Sequence, residues 1–290
     1  MTSAAPPRPV AAARGRGLPT WTYFSGSAVF HYLGPSFAVL LFARIGPLGV
    51  AGLRIWSAAV VFALWRRPWR TLAGLDPAGR RLILAWGCVL AAMNAVFYLA
   101  IARLQLGTVA AIEFLPVVAL AAFGARSPRN VAALATAVGG VALLSEVRLG
   151  REPLGFVLAF ANAGLFAVYI VLAHRAAGQL QGARIDGLAG AMLVACVFIA
   201  PLGAAQAAAA FSDPSALAAG VGVGVCSSVI PYVCDQLAMA RMARSTYALL
   251  LTLLPATATI IGLAVLHQVP TLLDLAGVAL VVAGVAVHRQ

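Results

Sequence analysis

The chain has 290 residues, of which 62% are hydrophobic and only 10% are charged. A water-soluble domain carries about 25% charged residues, so the composition excludes an ordinary soluble protein. The formal net charge is +12, and all of the basic residues are arginine. Because these arginines lie at the ends of apolar blocks and not along one stripe, they argue against nucleic-acid binding and are typical of juxtamembrane residues that meet lipid headgroups.

Apolar blocks long enough to cross a bilayer recur along the chain. Residues 1–19 are rich in Ala, Pro and Arg, and we expect a disordered cytoplasmic tail there, not a cleaved signal peptide. The blocks that follow predict an all-α integral membrane protein with ten transmembrane helices, at residues 20–42, 47–65, 80–102, 106–124, 130–146, 153–174, 186–206, 216–240, 245–266 and 270–288.

The arginines also predict an orientation. With a cytoplasmic N-terminus, fifteen arginines lie in inside segments and four in outside segments, and Arg54 lies within a span. Such an excess favours the cytoplasmic side. We therefore expect a multi-pass protein of the plasma or inner membrane with both termini in the cytoplasm.

Two stretches of the chain resemble each other: ARLQLGTVA at 102–110 and ARMARSTYA at 240–248. Each ends one predicted span and opens the next. Five spans per copy is an odd number, so the two halves should be inverted in the membrane, as in many transporters. This predicts two five-helix repeats, at 20–147 and 152–288; chance similarity between Ala-rich helices is the alternative.

Three charged residues fall well inside predicted spans, where a charge is costly and therefore informative. Arg54 and Glu113 should both lie about 10 Å from the outer face. They form either a structural ion pair or a site for protons or for a substrate, and a zwitterionic amino acid needs one group of each sign. Asp235 should lie about 9 Å from the inner face, either facing a cavity or paired locally.

Uncharged polar side chains inside the spans are further candidates for a substrate or proton site, with interhelical hydrogen bonding as the alternative. They are His31, Asn94, Tyr98, Asn162, Tyr169 and Tyr232. Prolines inside spans remove a helix hydrogen bond, and they are predicted to be hinges or passive kinks. They are Pro35, Pro116, Pro231 and Pro255. Small residues at 139–140 and 220–224 predict close helix packing.

Other classes of protein lack the motifs they require. The four cysteines lie in apolar blocks without a C-x-x-C pair, so we expect no metal, cofactor or disulfide. The sequence contains no G-x-S-x-G or H-E-x-x-H motif, which argues against a membrane enzyme, and no Walker A motif for ATP. No repeated filter or charged ring indicates a channel.

A family resemblance is clearest at residues 93–116, which read MNAVFYLAIARLQLGTVAAIEFLP. Supporting stretches lie at 46–54, 67–70, 162–169 and 227–235. The chain resembles the drug/metabolite transporter superfamily in its EamA-type branch, and most of all the bacterial threonine/homoserine exporters. The resemblance implies ten helices in two inverted repeats, a central cavity that opens alternately to each side, and export of small metabolites in exchange for protons.

The second half departs from the family pattern. Where family members often carry Glu before the proline of the ninth span, and Gly-Glu at its far end, this chain has Leu254-Pro255 and His267-Gln268. The usual Trp of the sixth span corresponds to Phe166. These differences concern proton coupling and substrate identity more than the fold.

Together these features predict a secondary-active exporter of amino acids or similar small metabolites. The alternatives are an exporter of a different metabolite or drug, and a membrane sensor that does not transport. The sequence leaves the oligomeric state open.

Overall fold

The computed structural model of the protein describes residues 20–116, 128–146, 152–179, 184–241 and 253–287. Within these ranges all regular secondary structure is helical, which confirms the all-α prediction; the predicted N-terminal tail and most of the second repeat motif lie outside them. The helices are α1 (Thr20–Ile45), α2 (Pro47–Arg66), α3 (Pro68–Ala73), α4 (Pro77–Ile101), α5 (Leu106–Glu113), α6 (Pro128–Glu146), α7 (Pro153–Gln179), α8 (Arg184–Phe211), α9 (Pro214–Gly224), α10 (Ile230–Arg241), α11 (Leu254–Leu266) and α12 (Leu272–Val287), and a π-helical turn at Val225–Val229 joins α9 to α10.

Six stretches among the described residues are long and apolar enough to cross a membrane, and three further helices are apolar but shorter. The six fall in predicted spans, whereas the full count of ten stays a prediction. The long stretches are Trp21–Ile45, Pro47–Arg66, Pro77–Ile101, Pro153–Ala176, Ile185–Phe211 and Pro214–Asp235, and the shorter helices are Pro128–Leu144, Leu254–Leu266 and Leu272–Val287.

Large apolar side chains lie on the outside of this fold and polar ones lie inside it. Val197 and Ile260 are 71% and 66% exposed, while Arg54 is only 6% exposed and Asn162 is fully buried. A water-soluble protein avoids large exposed apolar surfaces. The distribution therefore suits a protein whose outer surface meets lipid.

Half of the α-helices given above begin at a proline, where the missing N–H would have had no partner within the helix. Two of these starts have an aspartate as N-cap. The Asp76 side chain accepts the N–H of Gly79, and Asp213 accepts the N–H groups of Ser215 and Ala216. Hydrogen bonds from the Ser215 hydroxyl and from these N–H groups lower the pKa of the Asp213 carboxyl below its ordinary value.

Two other helix starts receive their cap from a distant glutamine. Neither Gly46 before α2 nor Gln105 before α5 makes a side-chain cap bond. Instead, Gln206 Oε1 of α8 accepts the N–H groups of Leu48 and Gly49 at 3.0 and 3.2 Å. Likewise, Gln268 Oε1, just after α11, accepts the N–H of Leu106 at 3.1 Å.

The helices of the first half pack mainly against helices of the second half. In these contacts α1 lies against α10 and α11, and α2 lies against α8 and α9. In the same way α4 packs on α7 and α8, α5 on α11, and α6 on α12. The core is therefore shared between the halves.

Ion pairs join helix ends and connections that lie far apart in the sequence. If the chain crosses the membrane at every predicted span, the two residues of each pair lie on the same side. The ion pairs are therefore consistent with the predicted order of the spans. Among the described residues these pairs are Arg44–Asp213 at 3.8 Å, Arg66–Asp186 at 2.7 Å and Arg103–Glu152 at 3.9 Å.

Both predicted small-residue motifs have glycines at helix crossings. A Cβ atom on Gly140 would lie 2.6 Å from the carbonyl oxygen of Gly277 in α12, and one on Gly224 would overlap Ser57 of α2. Cβ atoms on Gly139 and Gly222 would meet nothing within 4 Å. Close packing is thus confirmed for Gly140 and Gly224, and also for Gly220, where a Cβ atom would lie 2.6 Å from Leu53 Cδ1 of α2, but not for Gly139 and Gly222.

Gly140→Ala should destabilise the protein, whereas Gly139→Ala should not. Alanine removes the same backbone entropy at both positions, which stabilises a helix by about 0.5–1 kcal/mol. At position 140, α6 and α12 must also separate, at a cost of about 1–3 kcal/mol. Thermal unfolding in detergent measures the difference, and a melting temperature for Gly140→Ala equal to or above that of Gly139→Ala would contradict the packing described here.

Candidate functional site

A cavity lies between α1, α2, α4, α5, α7 and α10. The empty space in it is about 460 Å³, a value that includes the part open to the exterior. It brings together most of the residues that the sequence singled out. The residues that line it are His31, Pro35, Arg54, Met93, Asn94, Phe97, Glu113, Asn162, Phe166, Tyr169 and Tyr232.

Glu113 is the acidic residue of this cavity. It is the last residue of α5, which ends there with a turn at Phe114, one turn before Pro116. Its carboxyl group is buried, and Oε1 accepts a hydrogen bond from Asn162 Nδ2 of α7 at 3.2 Å. Asn162 Oδ1 is buried and has no hydrogen-bond partner among the described residues. The acid is therefore held by one neutral amide.

Arg54 enters the same cavity from α2 and is held by a different set of groups. Its Nε donates to Ser228 Oγ at 2.9 Å, and its Nη2 donates to the carbonyl oxygen of Ser227 at 3.0 Å. The guanidinium also lies over the ring of Tyr98, 5.5 Å from the centroid, within the range of a cation–π interaction. Arg54 is thus fixed by the second half of the chain.

Arg54 and Glu113 share the cavity without an ion pair between them. The hydrogen bonds and ion pairs of both residues among the described part of the chain are those given above. The structure therefore brings the two groups into one cavity, without a direct ion pair between them in the described part of the chain. Each charge keeps capacity for another partner.

Asp235 lies outside this group. It is half-buried on α10, and its Oδ1 accepts a hydrogen bond from Ser27 Oγ of α1. The same hydroxyl lies 3.4 Å from the carbonyl oxygen of Pro231. Asp235 does not line the cavity; it makes a contact between α1 and α10, which fits the alternative of a locally paired acid.

The remaining polar candidates differ in their surroundings. Asn94 lines the cavity, and its amide also donates to the Leu90 carbonyl of its own helix at 2.8 Å. Tyr98, one turn later, is buried beneath Arg54, as expected for residues on one helix face. His31 contacts the ring of Tyr32, and the ring of Tyr169 stacks on Phe166 at 6.3 Å.

The prolines fall into two groups. Pro35 lies inside α1 and lines the cavity. Pro231 is the second residue of α10, which directly follows the π-helical turn. Pro255, expected to interrupt a helix, instead lies in the first turn of α11. The first N–H groups of a helix have no partner within it, so Pro255 removes no bond from α11. The chain beyond Pro116 lies outside the described residues.

Sequence reasoning missed Ser227, Ser228, Gln206 and Gln268 as functional or structural polar groups. A signal was available for Ser227, because a proline frees the carbonyl four residues earlier, and position 227 is four residues before Pro231. For the two glutamines no local signal exists, since each caps a helix of the other half. In the described ranges no group of three His, Cys, Asp or Glu side chains is arranged to hold a metal ion.

Comparison with known proteins shows which family the chain resembles. The EamA-like transporter family matches residues 153–289. The threonine/homoserine exporter RhtA of Salmonella typhimurium (strain LT2) is 30% identical over 255 residues, which cover 86% of this chain and 84% of that protein. The protein of the same name from Escherichia coli (strain K12) is 29% identical over the same length.

A solved crystal structure has a similar fold, with a TM-score of 0.58 and 20% sequence identity over 93% of this chain and 96% of that one. At this identity the likeness concerns the fold alone. The sequence relatives, in contrast, extend over most of both chains. We conclude that this chain belongs to the EamA-like transporter family, within the drug/metabolite transporter superfamily.

Proposed function

We propose that this protein is a secondary-active exporter of an amino acid, or of a similar small zwitterionic metabolite, and that it works by alternating access. The observation that carries the proposal is the pair of opposite charges in one cavity. Arg54 offers N–H donors for a carboxylate, and Glu113 offers an acceptor for an ammonium group. Because the two are not bonded to each other, both can bind a substrate.

The substrate class rests also on the relatives, whose name describes export of threonine and homoserine. Both are α-amino acids, so their transport requires recognition of a carboxylate and an ammonium group together. The cavity supplies neutral polar groups as well, from Asn94, Asn162 and Tyr232. These suit a small polar side chain better than a large hydrophobic drug.

Proton antiport is part of the proposal, with Glu113 as the group that exchanges the proton. A buried carboxylate beside a single amide can take up a proton without leaving another buried charge unpaired. Of the two acidic positions of the family pattern in the second half, one is Leu254 and the other is Gln268, which caps α5 through an oxygen atom. A neutral amide fulfils that role, so the absence of an acid there leaves the candidate proton site intact.

The pattern of helix contacts supports two inverted repeats. In such a repeat, α1 corresponds to α7, α2 to α8, α5 to α11 and α6 to α12, while α4 corresponds to α9 and α10 taken together. A twofold axis then requires each contact between helices to have a symmetry-related counterpart. The contact of α1 with α10 is matched by that of α4 with α7. The contact of α1 with α11 is matched by that of α5 with α7, and α2 with α9 by α4 with α8.

Inverted repeats of this kind suit a rocking motion of one half against the other around a fixed site. We place the protein in the plasma or inner membrane with both termini in the cytoplasm. The concentration of arginine in the predicted inside segments supports this orientation.

Glu113→Gln should reduce amino-acid export by about tenfold or more, because it removes a charged hydrogen-bond acceptor worth about 1.5–3 kcal/mol and the group that exchanges the proton. Uptake into proteoliposomes, with and without a pH gradient, measures this over a panel of amino acids, other metabolites and drugs. The matched control is Glu152→Gln, which removes a carboxylate that is 44% exposed and pairs with Arg103 in a connection.

Export by Glu113→Gln at the level of Glu152→Gln would refute the role of Glu113. Transport of a metabolite without a carboxylate, and not of amino acids, would favour the broader exporter reading. A protein that is folded and monodisperse but carries no substrate of the panel across the membrane would favour a sensor.

Alternating access predicts that the cavity changes its side of exposure. In a variant without the four native cysteines, Asn94→Cys should react with a membrane-impermeant maleimide at a rate that depends on substrate and on the pH gradient. Glu152→Cys, in a connection, should react at a rate that depends on neither. Labelling of position 94 that stays constant under all of these conditions would contradict the proposed motion.

A further inference from the structure

The π-helical turn at Val225–Val229 fits tightly between α1 and α2. A Cβ atom on Gly34 of α1 would lie within 3 Å of the Ser227 backbone, and one on Gly224 would lie 2.7 Å from the carbonyl oxygen of Arg54. Two glycines on opposite sides thus allow the backbone of this turn to approach both helices. π-helical turns are rare and are frequent at functional sites.

The turn presents to Arg54 a backbone carbonyl that lacks its usual α-helical donor. In an α-helix the carbonyl of residue 227 accepts the N–H of residue 231, but Pro231 has no N–H. The bond that closes the turn runs from the N–H of Ile230 to the carbonyl of Val225. The carbonyl oxygen of Ser227 is therefore available, and it accepts from Arg54 Nη2 at 3.0 Å.

Arg54 retains donors after these bonds are made. A guanidinium has five N–H groups, and within the described residues only Nε and Nη2 of Arg54 make hydrogen bonds. The bonds to Ser228 Oγ and the Ser227 carbonyl fix the plane of the guanidinium from one side. The Nη1 group makes no hydrogen bond in the described part of the chain, although the residue is only 6% exposed.

We propose that Ser228 is a positioning residue, which together with the Ser227 carbonyl holds Arg54 so that its Nη1 edge receives the carboxylate of the substrate. The inference rests on the proposed function and deepens it. Ser228 does not line the cavity, so it acts through Arg54. Because Arg54 lies in the first half and Ser228 in the second, the same contact relates carboxylate binding to the relative position of the halves.

The first experiment measures transport kinetics in proteoliposomes for Ser228→Ala, Ser228→Thr and Ser36→Ala. Removing the hydroxyl that holds the guanidinium should raise KM for the amino acid by about tenfold, with a smaller change in the maximal rate. Ser228→Thr retains a hydroxyl and should restore most of the affinity. Ser36→Ala is the matched control, because Ser36 is fully buried and its hydroxyl bonds only to the Tyr32 carbonyl of its own helix.

The second experiment needs no substrate. Phenylglyoxal modifies arginine side chains, and mass spectrometry of the purified protein gives its rate of reaction at Arg54. Release of the guanidinium from the turn in Ser228→Ala should increase this rate severalfold, while the rate at Arg103 serves as an internal reference. The same rate in Ser36→Ala should equal that of the unsubstituted protein.

The two experiments separate the positioning role from the proposed function. If no amino acid is transported but Ser228→Ala alters the reactivity of Arg54, the substrate assignment fails and the positioning of Arg54 stands. If amino acids are transported and Ser228→Ala changes neither KM nor the reactivity of Arg54, the positioning role is refuted. An increase in KM equal to that of Ser36→Ala would also refute it, since both would then report general packing.

Discussion

A charged group among apolar helices must find its partners within the protein, because lipid supplies none. Arg54 meets this requirement through groups that its own half of the chain does not provide. The Ser228 hydroxyl and the Ser227 carbonyl reach it because Gly224 and Gly34 allow the π-helical turn to come close, and because Pro231 leaves that carbonyl without its α-helical donor. The rest of the cavity is arranged around this fixed cation.

Glu113 is bound much less firmly than Arg54. One amide from Asn162 holds its carboxyl group, at the point where α5 ends. A group with few bonds can change its partner or its protonation state at small cost, whereas a group with several bonds of good geometry cannot. The arginine therefore suits the role of a constant anchor and the acid that of the exchangeable group, although the two are similar in burial.

Hydropathy and charge predicted much of this arrangement. Apart from α3, the described helices overlap the predicted spans. Arg54, Glu113, Asn94 and Asn162 line one cavity because polar groups in apolar helices turn away from lipid. The partners of Arg54 were not predicted, since they depend on how a helix of the other half is rotated. The position of Pro255 within its helix was not predicted either, because hydropathy does not define where α11 begins.

The two glutamine caps can form only late in the synthesis of the chain. Gly46 and Gln105 leave the first N–H groups of α2 and α5 without a local acceptor, and the acceptors arrive from Gln206 and Gln268. During synthesis these residues emerge about 160 positions after the helices they cap, while a chain grows by about 5–20 residues per second. The first N–H groups of α2 and α5 therefore lack their glutamine acceptors for seconds during synthesis, and these two caps form only after the second half has been made.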